Sequence, residues 1–163
     1  MNKTMGNYHD LEADFVERTL RLIDQYYASL DNYPFEEQFN YTLTINCLLG
    51  LVVMPKERVI TYIPTSPLTK ELLAEIGLQQ SMINEHITSL RELIQKIRHS
   101  IAHFDIKVIS ESEEQLIDWV EFNDSKQDSH LVARFKAQEL LPFLKYYAIC
   151  LLENMKKFRV ANT

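Results

Sequence analysis

Between Ser81 and Phe104, apolar side chains fall at Ile83, Ile87, Leu90, Ile94, Ile97, Ile101 and Phe104, in alternating steps of four and three. That spacing keeps one helix face apolar, so the run predicts a single helix over 81–104 with its seam buried against other helices. At about 100° per residue, Glu85, Ser89, Glu92, Lys96, His99 and His103 lie on the far side. Arg98 falls between the two faces. Upstream, Asp10 is a plausible N-cap for a helix whose stripe runs through Leu11, Phe15, Leu20, Leu22, Ile23, Tyr26, Tyr27 and Leu30. Asn32-Tyr33-Pro34 ends it. A second helix is expected from about Phe35 to Met54, where Pro55 stops it. Gly50 inside that helix costs about 1 kcal/mol relative to alanine, which suggests close backbone packing.

The pattern loosens over residues 56–80, which Pro64 and Pro67 interrupt. A short helix from Leu68 to Ile76 before Gly77 fits there, and the segment reads as a connection rather than a lid. After Phe104 the period changes. Ile106–Ile109, Leu116–Phe122 and Leu131–Phe135 alternate and are separated by turn-rich stretches at 110–114 and 123–129. This predicts a small antiparallel hairpin or meander over about 105–135, with Trp119 anchoring it to the helices. A last helix carries Leu140, Leu144, Tyr147, Leu151 and Met155 on one face, with Pro142 in its first turn. The expected fold is mainly α: an antiparallel helical bundle with a β insertion before the final helix. Residues 1–9 read as a disordered tail and 10–163 as one domain.

Composition narrows the function classes. Gly is only 3 of 163 residues and 46% are hydrophobic, which suits a globular helical chain and not disorder. A net charge of −6 argues against a broad nucleic-acid-coating surface but leaves room for a small cationic cleft. Cys47 and Cys150 sit far apart in apolar runs without a CxxC, as buried thiols in a reducing cytosol would. The opening residues have no apolar signal-peptide core, and the apolar stretch Tyr41–Met54 is too short to span a bilayer. A cytoplasmic location is expected.

The chemistry-bearing residues gather at the end of the 81–104 run: Arg98, His99 and His103. Histidine titrates near neutrality and can act as base or acid. A guanidinium offers fixed paired donors to phosphate oxygens. Most histidines on a polar helix face are merely solvated, so the grouping carries more weight than any one residue. His99 and His103 also stand at i and i+4, a spacing found in zinc helices, with Asp105 as a conceivable third ligand. Neither HExxH nor a nearby cysteine supports that reading. His86, at the edge of the seam, reads as a core or interface residue, and His9 and His130 as tail and turn residues. Tyr26, Tyr27, Tyr146 and Tyr147 have helical spacing and read as packing residues rather than base-stacking platforms.

Arg98-His99-Ser100-Ile101-Ala102-His103 is an arginine followed by a polar residue, with a histidine five positions after the arginine, near the end of a core helix. It resembles the signature of the HEPN family. The apolar stretch Tyr41–Glu57 is similar to the buried second helix of a bacterial and plasmid-borne HEPN subgroup, and the likeness spans roughly residues 15–155. The resemblance implies a helical bundle and a metal-independent endoribonuclease of toxin or phage-defence type, with no cofactor. In that role Arg98 would hold the phosphate and His103 would carry the proton transfers, with His99 orienting or sharing them. It further implies a homodimer whose two motifs face one cleft, and an antitoxin or nucleotidyltransferase as a possible partner. The alternative is a non-catalytic dimeric HEPN module that only binds or regulates.

Overall fold

The computed structural model describes residues 8–61, 63–111, 116–125 and 131–161. Expectations for the tail at 1–7, for His130 and for parts of the two turn-rich stretches lie outside these residues. Helices α1 (Leu11–Ser29), α2 (Asn40–Val53), α3 (Glu57–Ile60) and α4 (Lys70–Glu75) precede a two-residue strand, β1 (Met82–Ile83). Then come α5 (Leu90–Ala102), β2 (Ile106–Ile109), β3 (Trp119–Asn123), β4 (Leu131–Lys136) and α6 (Leu140–Ala161). The chain is mainly α with one small antiparallel sheet, as the hydrophobic pattern requires.

The bundle forms because α6 buries Leu140, Leu144, Tyr147, Leu151 and Met155 against α1 and α2. Asp10 caps α1 by accepting the Ala13 N–H. The α1 stripe is narrower than its apolar residues suggest: Val16 and Ile23 are buried, while Leu11 and Leu22 stay about half exposed. Residues 35–37 form a separate 3-10 turn, and α2 begins only at Asn40. Gly50 meets α1 closely; a Cβ there would stand 3.3 Å from the Phe15 ring. The tyrosines serve packing: Tyr26 accepts the Phe39 N–H, Tyr27 meets the Thr44 hydroxyl, and Tyr147 is fully buried.

The expected single helix over 81–104 is not what forms. Only Leu90–Ala102 is helical. Residues 79–86 are held by polar contacts from elsewhere in the chain. The Glu139 carboxylate accepts the N–H groups of Gln79, Gln80 and Ser81 together with the Ser81 hydroxyl. Ser81 Oγ accepts the Lys136 N–H, and the Asn84 amide donates to the Leu131 carbonyl. Met82 and Ile83 thereby pair with Arg134 and Ala133, and the sheet order becomes β1-β4-β3-β2. The sheet is thus not a self-contained insertion; its outer strand β1 comes from before α5. Ser89 then starts α5 by accepting the Glu92 N–H, while the Glu92 carboxylate accepts the Thr88 N–H. This is close to a capping box.

Trp119 does not face the helices. Arg134 and Lys136 flank its ring at 4.7 and 4.5 Å, while Val120, Phe122 and Phe135 are the fully buried sheet residues. Phe135 stacks toward Phe143 of α6 with ring centroids 5.0 Å apart.

α5 ends in a Schellman motif: Asp105 N–H donates to the Ser100 carbonyl, and Phe104 N–H to that of Ile101. The left-handed position this turn demands is filled by Phe104 at φ 55°, where glycine is usual. The Phe104 ring is 86% exposed, so it leaves the apolar seam that its spacing predicted.

Two predictions follow from these contacts. Glu139 is partly buried, which acts to raise its carboxyl, but the Ser81 hydroxyl and the three N–H donors prevail and hold it below the ordinary 4.5. Its contribution is therefore complete above pH 4.5 and is lost as pH falls through the lowered folded value. Glu139→Gln should lower the melting temperature at neutral pH, with the gap to wild type closing in acid. Phe104→Gly should raise stability by about 1 kcal/mol, read by denaturant unfolding, because the ring buries almost nothing and the backbone strain is relieved.

Candidate active site

Burial of Leu90, Leu93, Ile94 and Ile97 fixes the rotation of α5, and that places Arg98 on one flank and His99 and His103 on another. Five residues along an ideal helix separate Arg98 from His103 by about 140°. Within one chain the two side chains accordingly have different partners.

Arg98 reaches toward the end of α2. Its Nη1 donates to the Pro55 carbonyl at 2.9 Å and lies 3.7 Å from Glu57 Oε2. A cation at a helix C-terminus satisfies otherwise unpaired carbonyls and suits the helix dipole. Both contacts use Nη1; Nη2 and Nε have no partner among the described residues, and the side chain is 31% exposed. The guanidinium therefore has anchoring on one side and free donors on the other. Behind it lies Tyr147, whose hydroxyl has no hydrogen-bond partner among the described residues. Burial pushes that phenol well above its ordinary value, and the Arg98 charge partly opposes the effect.

The two histidines stand together. The His99 and His103 rings meet edge-on, with centroids 4.4 Å apart. His99 is half-buried, and His103 is exposed at the helix cap. Beside them sits a residue that the sequence did not single out. Asp124, just past β3 and only 5% exposed, brings Oδ1 to 3.7 Å from His99 Nε2 and Oδ2 to 3.7 Å from Lys96 Nζ. Its stretch reads as turn chemistry, and nothing in the local pattern ties position 124 to position 99.

Asp105 does not join the histidines as a ligand; its carboxylate accepts the Ser125 N–H at 2.9 Å. Among the described residues no group of three or more His, Cys, Asp or Glu side chains is arranged to hold a metal ion. His86 is exposed, not in the core, and His9 lies at the start of α1. A hollow of about 520 Å³ lies between the start of α1, the α2–α3 turn and the end of α6, with Pro55 in its wall. A second, of about 120 Å³, is lined in part by Lys96 and Asp124. Arg98, His99 and His103 line neither; Arg98 and His99 are half-buried and His103 is exposed.

Both cysteines are free, and burial raises the thiols of Cys47 and Cys150. No helix among the described residues is long and apolar enough to cross a membrane.

No curated protein and no solved structure matches the chain. The family model described as HEPN pEK499 p136 matches residues 5–158, which contain every helix and strand but the last three residues of α6, and the Arg98–His103 motif. With nearly the whole chain covered by that model, and a helical fold to match, the protein belongs to the HEPN family.

Proposed function

We propose that the protein is a metal-independent endoribonuclease whose acting groups are Arg98, His103 and His99. The observation that carries this reading is the presence, at the end of one helix, of an arginine whose Nη2 and Nε have no partner among the described residues and of two histidines in ring contact. RNA contains its own nucleophile. A base takes the proton from a 2′-hydroxyl, whose oxygen attacks the adjacent phosphorus. The bond to the 5′-oxygen breaks, and an acid returns a proton to that leaving oxygen. The products are a 2′,3′-cyclic phosphate and a 5′-hydroxyl. His103, exposed at the helix end, is the acid–base residue, and each positioned proton transfer contributes about 10²–10⁴-fold. Arg98 supplies charge to the phosphorane oxygens through Nη2 and Nε.

One chain separates Arg98 from His103 around the helix, and the reaction asks for a base and an acid. A homodimer placing two motifs across one cleft answers both needs: each phosphate would meet an arginine and two His103 side chains. The exposure of His103 in one copy, with Arg98 and His99 partly accessible beside it, supports this arrangement. A toxin or phage-defence role, with an antitoxin or nucleotidyltransferase partner, belongs to the same reading.

One observation favours a second reading, a non-catalytic HEPN interaction module. The Arg98 contacts to Pro55 and Glu57 already give the guanidinium a structural task, binding α5 to the α2–α3 turn. The two readings separate on RNA incubated with purified protein in EDTA. Wild type should leave 2′,3′-cyclic phosphate ends, and His103→Ala should cut at least about 100-fold more slowly. Arg98→Lys, which keeps a cation near Pro55, should remain folded yet lose most activity because the paired donors are gone. Equal cleavage by all three proteins would remove the site assignment; no cleavage by wild type would favour the interaction module. Sedimentation should show a dimer at micromolar concentration, and a monomer there would remove the composite cleft.

A further inference from the structure

We propose that Asp124 is the positioning residue of the histidine pair: its buried carboxylate fixes the ring and tautomer of His99, and His99 in turn holds His103. The consequence for turnover rests on the ribonuclease reading; the orientation itself does not.

A carboxylate is rarely taken out of water without compensation, because desolvation disfavours the charge unless partners restore it. Asp124 is 5% exposed, and Lys96 and His99 both face it at 3.7 Å. The placement is built from both sides. Asn123 N–H donates to the Asp105 carbonyl at 2.9 Å, and Ser125 N–H donates to the Asp105 carboxylate at 2.9 Å. Asp105 is also the residue that closes the α5 Schellman turn through Ser100. One residue therefore seals the end of the motif helix and clamps both neighbours of Asp124. A register irregularity between Phe122 and Asn123 falls just before it, where strand pairing gives way to this clamp.

The chemistry follows from which nitrogen faces the carboxylate. His99 Nε2 lies 3.7 Å from Asp124 Oδ1, longer than a hydrogen bond, so the carboxylate acts on the ring through its charge and favours the tautomer with the proton on Nε2. The ring, with a buried anion beside one edge, is disfavoured in the flipped orientation. Its other contact, the edge-on approach to His103 at 4.4 Å, is then a fixed wall for the residue that moves protons. This is the logic by which a carboxylate orients an imidazole in other hydrolytic and metal sites. Lys96, with Nζ 3.7 Å from Oδ2, shares the carboxylate and offsets its charge.

The test is long-range ¹H–¹⁵N imidazole spectroscopy at about pH 8, above the ordinary histidine range, combined with single-turnover cleavage. In wild type, His99 should be protonated at Nε2; protonation at Nδ1 alone would overturn the proposal without any variant. Asp124→Asn should disturb the His99 tautomer and lower the cleavage rate at saturating RNA by at least about 10-fold with KM little changed. Asp124→Glu should recover part of both. Lys96→Met should leave the His99 tautomer as in wild type, whereas a merely structural Asp124–Lys96 pair would make it behave like Asp124→Asn. If Asp124→Asn cleaves at the wild-type rate with an unchanged His99 spectrum, Asp124 is not a positioning residue, and the ribonuclease reading survives. If wild type cleaves nothing, that reading fails, and the spectra alone decide the orientation.

Discussion

Burial of the α5 seam is the constraint on which the remaining structure depends. Leu90, Leu93, Ile94 and Ile97 are at 3% exposure or less. Each such side chain is worth about 1.5–3 kcal/mol, so four of them approach the whole net stability of a domain, about 5–15 kcal/mol. No hydrogen bond made by Arg98 or a histidine competes with that. The helix rotates to satisfy its apolar side, and Arg98, His99 and His103 take whatever direction remains. That is why Arg98 leans to the α2–α3 turn and the histidines lean to the sheet.

The ends of α5 matter as much as its middle. At the start, Ser89 and Glu92 satisfy the first N–H groups. At the finish, the Schellman turn forces a left-handed residue and directs the chain into β2. The same turn exposes Phe104 and puts Asp105 where it can seize the end of β3. Helix, sheet and histidine pair are therefore mechanically one object. In a protein with net charge −6, local arrangement of this kind is the means by which a small cluster of Arg98, His99 and Lys96 can exist beside acidic surroundings.

Much of this was legible in the chain. The α6 face, the Asp10 cap, the closely packed Gly50 and the three strands after α5 all follow from spacing and turn chemistry. The break before α5 was also written locally: Ser89-Leu90-Arg91-Glu92 is a helix-start signature. The continuous apolar period through Ile83 and Ile87 masked it, because period 3.6 persisted by coincidence where the backbone is not helical. Ile87 is buried, but from a loop, and Ile83 is half-buried in a strand.

What the sequence determined alone is the main helices, the three strands after α5 and the clustering of Arg98, His99 and His103 at the end of one helix, because these are matters of local spacing. Tertiary structure decided the rest. Glu139 lies more than fifty residues from the Gln79–Ser81 amides it holds, and its grip turns an apparent helix into an edge strand. Asp124 lies twenty-five residues from His99, and only the folded sheet brings them together. Contacts made across such separations leave no periodic trace in the chain; they exist only once the core has closed and set which faces meet.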